Sequence, residues 1–307
     1  MNDQGPVRTI VGPPNEADLL PLEPDVKQIW ICESLSQSDY ERIALTCAGR
    51  DDVHLFMQNQ DEDLSILEAF RGLRSFEVAN LRLRSLAGLE AVADTLESLS
   101  ISDTLKTVRV DPLARLSGLR HLYLDGHASG IEVISGLTGL EKLTLRSITL
   151  PDLSILIPLE KLWYFDLKLG GTKNLGLLPE IGELRYLEIW RVRGLADLAS
   201  LAHLPHLEEL HLQSMSRVER LPSLADAASL SRLSLDSMKG ITDLQPVADA
   251  PALETLFLIA MGHLDPADLE CFVGHPTLAS AVFGLGSVKK NRTAEALLPL
   301  PNPSATA

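Results

Sequence analysis

Asp166, Glu188 and His211 stand 22 and 23 residues apart, each between two large apolar neighbours. If that interval marks one structural repeat, the three side chains share a column on adjacent strands, ~4.8 Å apart. Two carboxylates at that separation hold one proton more tightly than either would alone, and a histidine on the next strand can pass a proton along. This is the best case in the chain for acid–base catalysis, but its surroundings argue against it. No nucleophile motif or glycine-rich phosphate loop accompanies the column, and Arg146 and Lys168 are placed to neutralise the acids. A shallow sheet surface also lacks the water-excluding pocket that such chemistry needs. The chain is read as non-catalytic.

Metal chemistry fares worse. His203 and His206 read H-L-P-H, where Pro205 prevents the helix that would aim both rings together. His121 and His211 would lie four strands apart, ~19 Å, too far to share an ion held through ~2 Å bonds. The three cysteines, Cys32, Cys47 and Cys271, are scattered and odd in number, so they form neither a disulfide framework nor a ligand set. They read as small buried apolar side chains. No metal and no cofactor is expected.

What would position such a column is a repeat. "LEELHLQSM" (207–215), "LSRLSLDSM" (230–238) and "LETLFLIAM" (253–261) start 23 residues apart. The same L-x-x-L-x-L frame extends upstream through "LRYLEI" (184–189), "LWYFDL" (162–167) and "LEKLTL" (140–145) to "LRSFEV" (73–78), and downstream to "LASAVF" (278–283). About ten units follow one another at intervals of 21 to 25 residues, which is a solenoid signal. Within a unit, the x-L-x-L segment alternates as a half-buried strand must. The remainder, as in "GITDLQPVADAPA" (240–252), sets Ile241, Leu244 and Val247 three apart, while Pro246 and Pro251 oppose a long α-helix. Short 3₁₀ or extended turns fit that spacing. No single coil can bury its leucines alone, so stacked coils must share one core.

These units resemble leucine-rich repeats, most closely the 22-residue bacterial class seen in internalins, as in "GLADLASLAHLPHLEEL" (194–210) and "GITDLQPVADAPALETL" (240–256). The resemblance covers roughly residues 70 to 285. It implies an α/β fold: a curved, right-handed solenoid with a parallel β-sheet on the concave face, short 3₁₀ or extended segments on the convex face, and an N-terminal helical cap. The expected organisation is an extended or loose segment over 1–24, a cap with irregular first coils over 25–70, the solenoid over 71–286 and a disordered tail over 287–307. In the cap, "VKQIWIC" (26–32) and "VHL" (53–55) read as strands. Between them, "SDYERIALTCAG" (38–49) reads as a helix with a Ser38/Glu41 capping box and Gly49 as its stop.

The family's frame ends in asparagine, L-x-x-L-x-L-x-x-N, and there this chain departs from it. The position carries Leu81, Thr104 and His127, then Ile148, Gly170 and Val192, then Met215, Met238 and Met261. Apolar packing by flexible thioethers is expected to replace the hydrogen-bonded ladder in the last coils.

In such a sheet the x positions face outward and register stacks them in columns. The chain holds only four tyrosines and three tryptophans, yet Tyr123, Tyr164, Tyr186 and Trp190 all fall at these positions within four successive strands. Trp30 joins them if the cap strand continues the sheet. Aromatic surface left in water favours binding, and Tyr, Trp and Arg dominate interface hot spots. Charges interleave with the rings: Arg146 and Lys168 on one side, Asp125, Asp166 and Glu188 on the other, with His211 and Phe257 further along. These eleven residues are the candidate partner-binding set. A mixed patch suits a protein or extended peptide, and a basic partner is compatible with the net charge of −15. That charge argues against nucleic acid or an anionic membrane, which would want a basic footprint.

At 45% hydrophobic and 22% charged the 307-residue chain is globular. It has no apolar run of the length a membrane span needs, and its first residues lack a signal-peptide pattern. A cytoplasmic, monomeric binding module is the expected protein. By resemblance, internalins use the concave face for host receptors. An adaptor, a regulatory subunit or an immunity protein neutralising a basic toxin would use the same surface.

Overall fold

The computed structural model describes residues 6–301. The chain falls into two compact units, Met1–Leu143 and Thr144–Ala307. The first carries β1 (Val7–Ile10), β2 (Gln28–Ile31), β3 (His54–Met57), β4 (Ser75–Val78), β5 (Ser98–Ile101) and β6 (His121–Asp125). After β7 (Lys142–Arg146), at the boundary, the second carries β8 (Tyr164–Lys168), β9 (Tyr186–Trp190), β10 (Glu209–Gln213), β11 (Arg232–Asp236), β12 (Thr255–Ile259) and β13 (Ser280–Phe283). Strand order follows chain order, and the pairings within each unit are parallel.

Register locks the leucines into rows: Leu210 pairs with Leu233, and Leu233 with Leu256. All three are fully buried, while Glu209, His211 and Gln213 between and beside them are partly exposed. A slip by one residue would turn every buried leucine outward, so burial itself fixes the pairing. The return segments are mainly 3₁₀ turns, with a short α2 (Gln245–Ala248) where Ile241, Leu244 and Val247 all point into the core. Within each unit this is the leucine-rich-repeat architecture that the resemblance implied.

The ends differ from expectation. Within 1–24, β1 forms a regular parallel pair with β2, Thr9 opposite Trp30. Helix α1 (Gln37–Thr46) lies between β2 and β3, and its N-cap is Ser36, whose hydroxyl accepts from the Asp39 amide, rather than Ser38. Gly49 follows at φ +78°. Most of 287–301, expected as disordered, is helix α3 (Val288–Leu297). Its polar sequence hid how it is tied down: Ser287 caps it, and Lys290 Nζ reaches the Leu264 carbonyl and Asp265 Oδ1, each at 2.8 Å. The Ala281 amide donates to the Pro301 carbonyl. Residues 302–307 of that tail, and 1–5 of the first segment, lie outside the described residues. The cysteines, expected in the core, are free and half-buried.

The turn that closes each coil is built in two ways. In the first unit, buried Asn59 accepts from the Asp61 amide through Oδ1 and donates to Tyr40 Oη and Asp61 Oδ2. Buried Asn80 accepts from the Arg82 amide and donates to the Asp61 carbonyl. The expectation that Leu81 holds the ladder position is therefore corrected. The four-residue β4 ends one position early, so Asn80 turns in and Leu81 is left 59% exposed. Buried His127 continues the role, its Nδ1 accepting from the Val108 amide and its Nε2 facing the Ser102 carbonyl at 3.0 Å.

In the second unit the turns rely chiefly on the backbone, beside which buried Thr172 Oγ1 accepts from the Asn174 amide and Met261 Sδ from the Met238 amide. Ser147, Leu169, Arg191, Ser214, Ser237 and Ala260 each follow a strand with φ between 49° and 57°. That left-handed step turns the amide toward the next coil: Leu169 N–H donates to the Trp190 carbonyl, Arg191 N–H to Gln213 and Ser214 N–H to Asp236, at 2.8–2.9 Å. It costs roughly 1 kcal/mol per residue with a Cβ, offset by a satisfied buried-edge amide. The next side chain then packs inward, which buries Ile148, Val192, Met215, Met238 and Met261. At Gly170 the approach is so close that a Cβ would sit 1.9 Å from the Ile148 carbonyl oxygen.

Candidate protein-binding face

On the open face of the second unit, the register sets Tyr164 opposite Tyr186, Asp166 opposite Glu188 and Lys168 opposite Trp190. It continues Glu188 opposite His211 and Trp190 opposite Gln213. The two tyrosine rings stack, centroids 4.1 Å apart and planes within 6°, and the His211 ring leans on Tyr186 at 5.2 Å. All three are half-buried, so the stack keeps one edge in solvent. Offset and stacked rings across strands stabilise a sheet by roughly 0.5–1.5 kcal/mol beyond their burial.

Beside the rings, Lys168 lies between two acids, 2.7 Å from Asp166 Oδ2 and 3.2 Å from Glu188 Oε2. The Tyr186 hydroxyl donates to Glu188 Oε2 at 3.0 Å. Desolvation is the main influence here. It lifts the Asp166 carboxyl to about 6, against the pull of Lys168 and with the Glu188 charge adding to the rise. It also raises both tyrosine hydroxyls. The Lys168 ammonium is held above its ordinary range, because its two carboxylates outweigh the desolvation that opposes them.

The acid–acid–histidine column is therefore present in register but not as a proton relay. Lys168 occupies the space between the carboxylates, and His211 Nε2 faces Glu209 Oε2 at 3.5 Å. Asp166 is not presented to solvent as expected: it is 2% exposed, with Lys168 bound over it. Asp125, on β6 of the first unit, is likewise buried at 3%. A short carboxylate on a sheet face is easily overtopped, and its burial is tolerable because it has a polar or charged partner. Tyr123 stands half-buried on that same strand. Arg146, half-exposed, ends β7. Phe257 is half-buried on β12, two strands beyond His211, beside the 40%-exposed Ile259. The group brought together is thus Tyr164, Asp166, Lys168, Tyr186, Glu188, Trp190 and His211. Trp30 packs on Phe56 in the first unit, ring centroids 5.2 Å apart.

One feature escaped the sequence reading. A cleft of about 720 Å³ opens along the ends of β7 to β10, lined by Arg191, Arg193 and Arg217 with Ser147, Ser214 and Ser216. The available signal was the charge of the short segments after each strand, which the strand-centred columns left out. Among the described residues no group of three or more His, Cys, Asp and Glu is arranged to hold a metal, and no helix is long and apolar enough to cross a membrane.

No protein-family description and no curated protein matches the sequence. Solved structures do. An internalin of Listeria monocytogenes superposes with a TM-score of 0.65 at 20% identity, over 89% of this chain and 77% of its own. A leucine-rich-repeat protein of Leptospira interrogans superposes with a TM-score of 0.55 at 16% identity, over 92% of this chain and 80% of its own. At such identities the likeness speaks for the fold alone: among the described residues, thirteen strands in chain order with short return turns have the leucine-rich-repeat fold.

Proposed function

We propose that this chain is a non-catalytic binding module, working in the cytoplasm as a monomer, whose open sheet face in the second unit holds a protein or an extended peptide. The observation that carries the reading is the Tyr164–Tyr186 stack with His211 and Trp190 beside it. The rings are pre-ordered by cross-strand pairing, so a partner that covers them loses little side-chain entropy at this face. The Asp166–Lys168–Glu188 cluster sits inside the same patch and supplies a charged centre whose geometry is already fixed. Half-exposed Glu209 offers a carboxylate to a basic side chain of the partner, in keeping with the net charge of −15. The repeat architecture of the two structural neighbours supports a scaffold of this kind, since solenoids present extended surfaces to macromolecules.

The test is affinity capture with the full chain, identification of the partner, and titration followed by tryptophan fluorescence. The Tyr164→Ala/Trp190→Ala chain should bind at least about 30-fold more weakly, two hot-spot rings each contributing ~1–2 kcal/mol. Unchanged affinity would move the interface off this face.

A further inference from the structure

The five segments that follow β7 to β11 (residues 147–149, 169–173, 191–194, 214–217 and 237–240) contain Lys173, Arg191, Arg193, Arg217 and Lys239 and no aspartate or glutamate. On a chain of net charge −15 this is a local reversal of sign. Three of those cations line one cleft of about 720 Å³ at the strand ends, with the hydroxyls of Ser147, Ser214 and Ser216. Several arginines elsewhere find carboxylates: Arg74 reaches Glu97 at 2.6 Å and Arg109 reaches Asp111 at 2.8 Å. Arg191, Arg193 and Arg217 take part in no ion pair among the described residues. Like charges gathered in one concavity repel, and neither ion pairing nor burial in the core compensates them here.

Their mounting is rigid. Arg191 sits at the left-handed step of its coil, its amide bonded to the Gln213 carbonyl, and the Arg193 amide bonds the Gly170 carbonyl, both at 2.9 Å. The cations thus project from a hydrogen-bonded frame rather than from a loose loop. No aromatic ring lines the cleft, so a ligand there is recognised through its charge and not by stacking.

We propose that this cleft binds phosphoryl groups. A guanidinium presents a planar fork that grips two oxygens at once, and a phosphoryl group has three oxygens and up to two charges to share among several forks. Hydroxyl donors complete the set, which a single carboxylate could not occupy fully. The site is separate from the aromatic face and does not depend on its role.

Titration calorimetry of the full chain with inorganic pyrophosphate and with a phosphoserine peptide tests the assignment. Saturable binding with a Kd below ~1 mM is expected. It should weaken about tenfold or more in Arg193→Ala, as loss of a charge-assisted hydrogen bond implies. In Arg191→Lys/Arg193→Lys/Arg217→Lys it should weaken severalfold, because charge remains and the fork is gone. Tighter binding of the peptide identifies a phosphorylated polypeptide as the source, and tighter binding of pyrophosphate a small phosphorylated molecule. The exposed arginines can be replaced without loss of the folded state, which an unchanged melting temperature verifies. The proposal is overturned if neither ligand saturates, if Arg191→Ala/Arg193→Ala/Arg217→Ala binds as well as the original, or if a glutamate-substituted peptide binds as tightly as the phosphoserine one. It is equally overturned if a single-stranded oligonucleotide binds more tightly than both, or if Tyr164→Ala/Trp190→Ala abolishes pyrophosphate binding.

Discussion

The two units solve one problem with different chemistry. Every coil must turn sharply after its strand and satisfy the amides it uncovers. The first unit does so with buried side chains, Asn59 and Asn80 bonded to the turns they close and His127 to the turn of the coil before it. The second uses a left-handed residue and the carbonyl of the following coil, and fills the vacated position with methionine, isoleucine or valine. A side-chain ladder depends on a particular residue at a particular place. A backbone ladder depends chiefly on the path of the chain, so residues as unlike as Leu169, Arg191 and Ser237 serve equally.

The comparison can be broken most directly at Gly170. Replacing it with alanine forces a methyl into the Ile148 carbonyl, and a loss of about 3 kcal/mol or more is expected in denaturant unfolding of the full chain. Next comes Asn80→Ala, which leaves the Arg82 amide without its acceptor and should cost about 2 kcal/mol. Hydrogen exchange should then speed up at residues 80–83 and leave the turn at Ser237 unchanged. Exchange that rises equally in both places would mean the two ladders are not separate devices.

Asp166 sharpens the contrast, since a polar group in the first unit's turns stabilises by being buried while this one does not. Its folded pKa of about 6 lies above the ordinary 3.8, so the folded state binds the extra proton and stability falls as pH rises from about 4 to about 6. Asp166→Asn should flatten that part of the profile by about 1–3 kcal/mol. A profile that keeps its slope would show the carboxyl is not the group responsible. The smallest effects belong to the backbone ladder. Leu169→Gly relieves left-handed strain and should leave stability within about 1 kcal/mol of the original, on the stabilising side if its packing is minor. Met238→Leu should likewise cost less than about 1.5 kcal/mol. A larger loss in Met261→Leu than in Met238→Leu would mean that a thioether contributes more than volume, since Met261 Sδ accepts from the Met238 amide at 3.4 Å.

Periodicity made the strands, their order and the outward columns legible, because two independent patterns, alternation within a strand and recurrence between strands, agree from Leu73 to Phe283. Asn80 was missed in favour of Leu81 because counting from the consensus assumes a strand one residue longer than β4. The left-handed steps left no trace at Leu169 or Arg191, residue types with no preference for that conformation. In the candidate face, the aromatic pairing follows from register alone. The burial of Asp166 does not, since it depends on how Lys168 folds over its neighbour. The arginine cleft was readable as charge and unreadable as a shape.

The backbone ladder of the second unit also bears on how such a chain changes length. At its left-handed step, each coil from β7 to β11 asks of its successor a carbonyl in register, which a block of the same frame supplies. Blocks in that half are interchangeable parts, open to duplication or loss by recombination without new side-chain chemistry. The first half, keyed by individual asparagines and a histidine, is fixed stock.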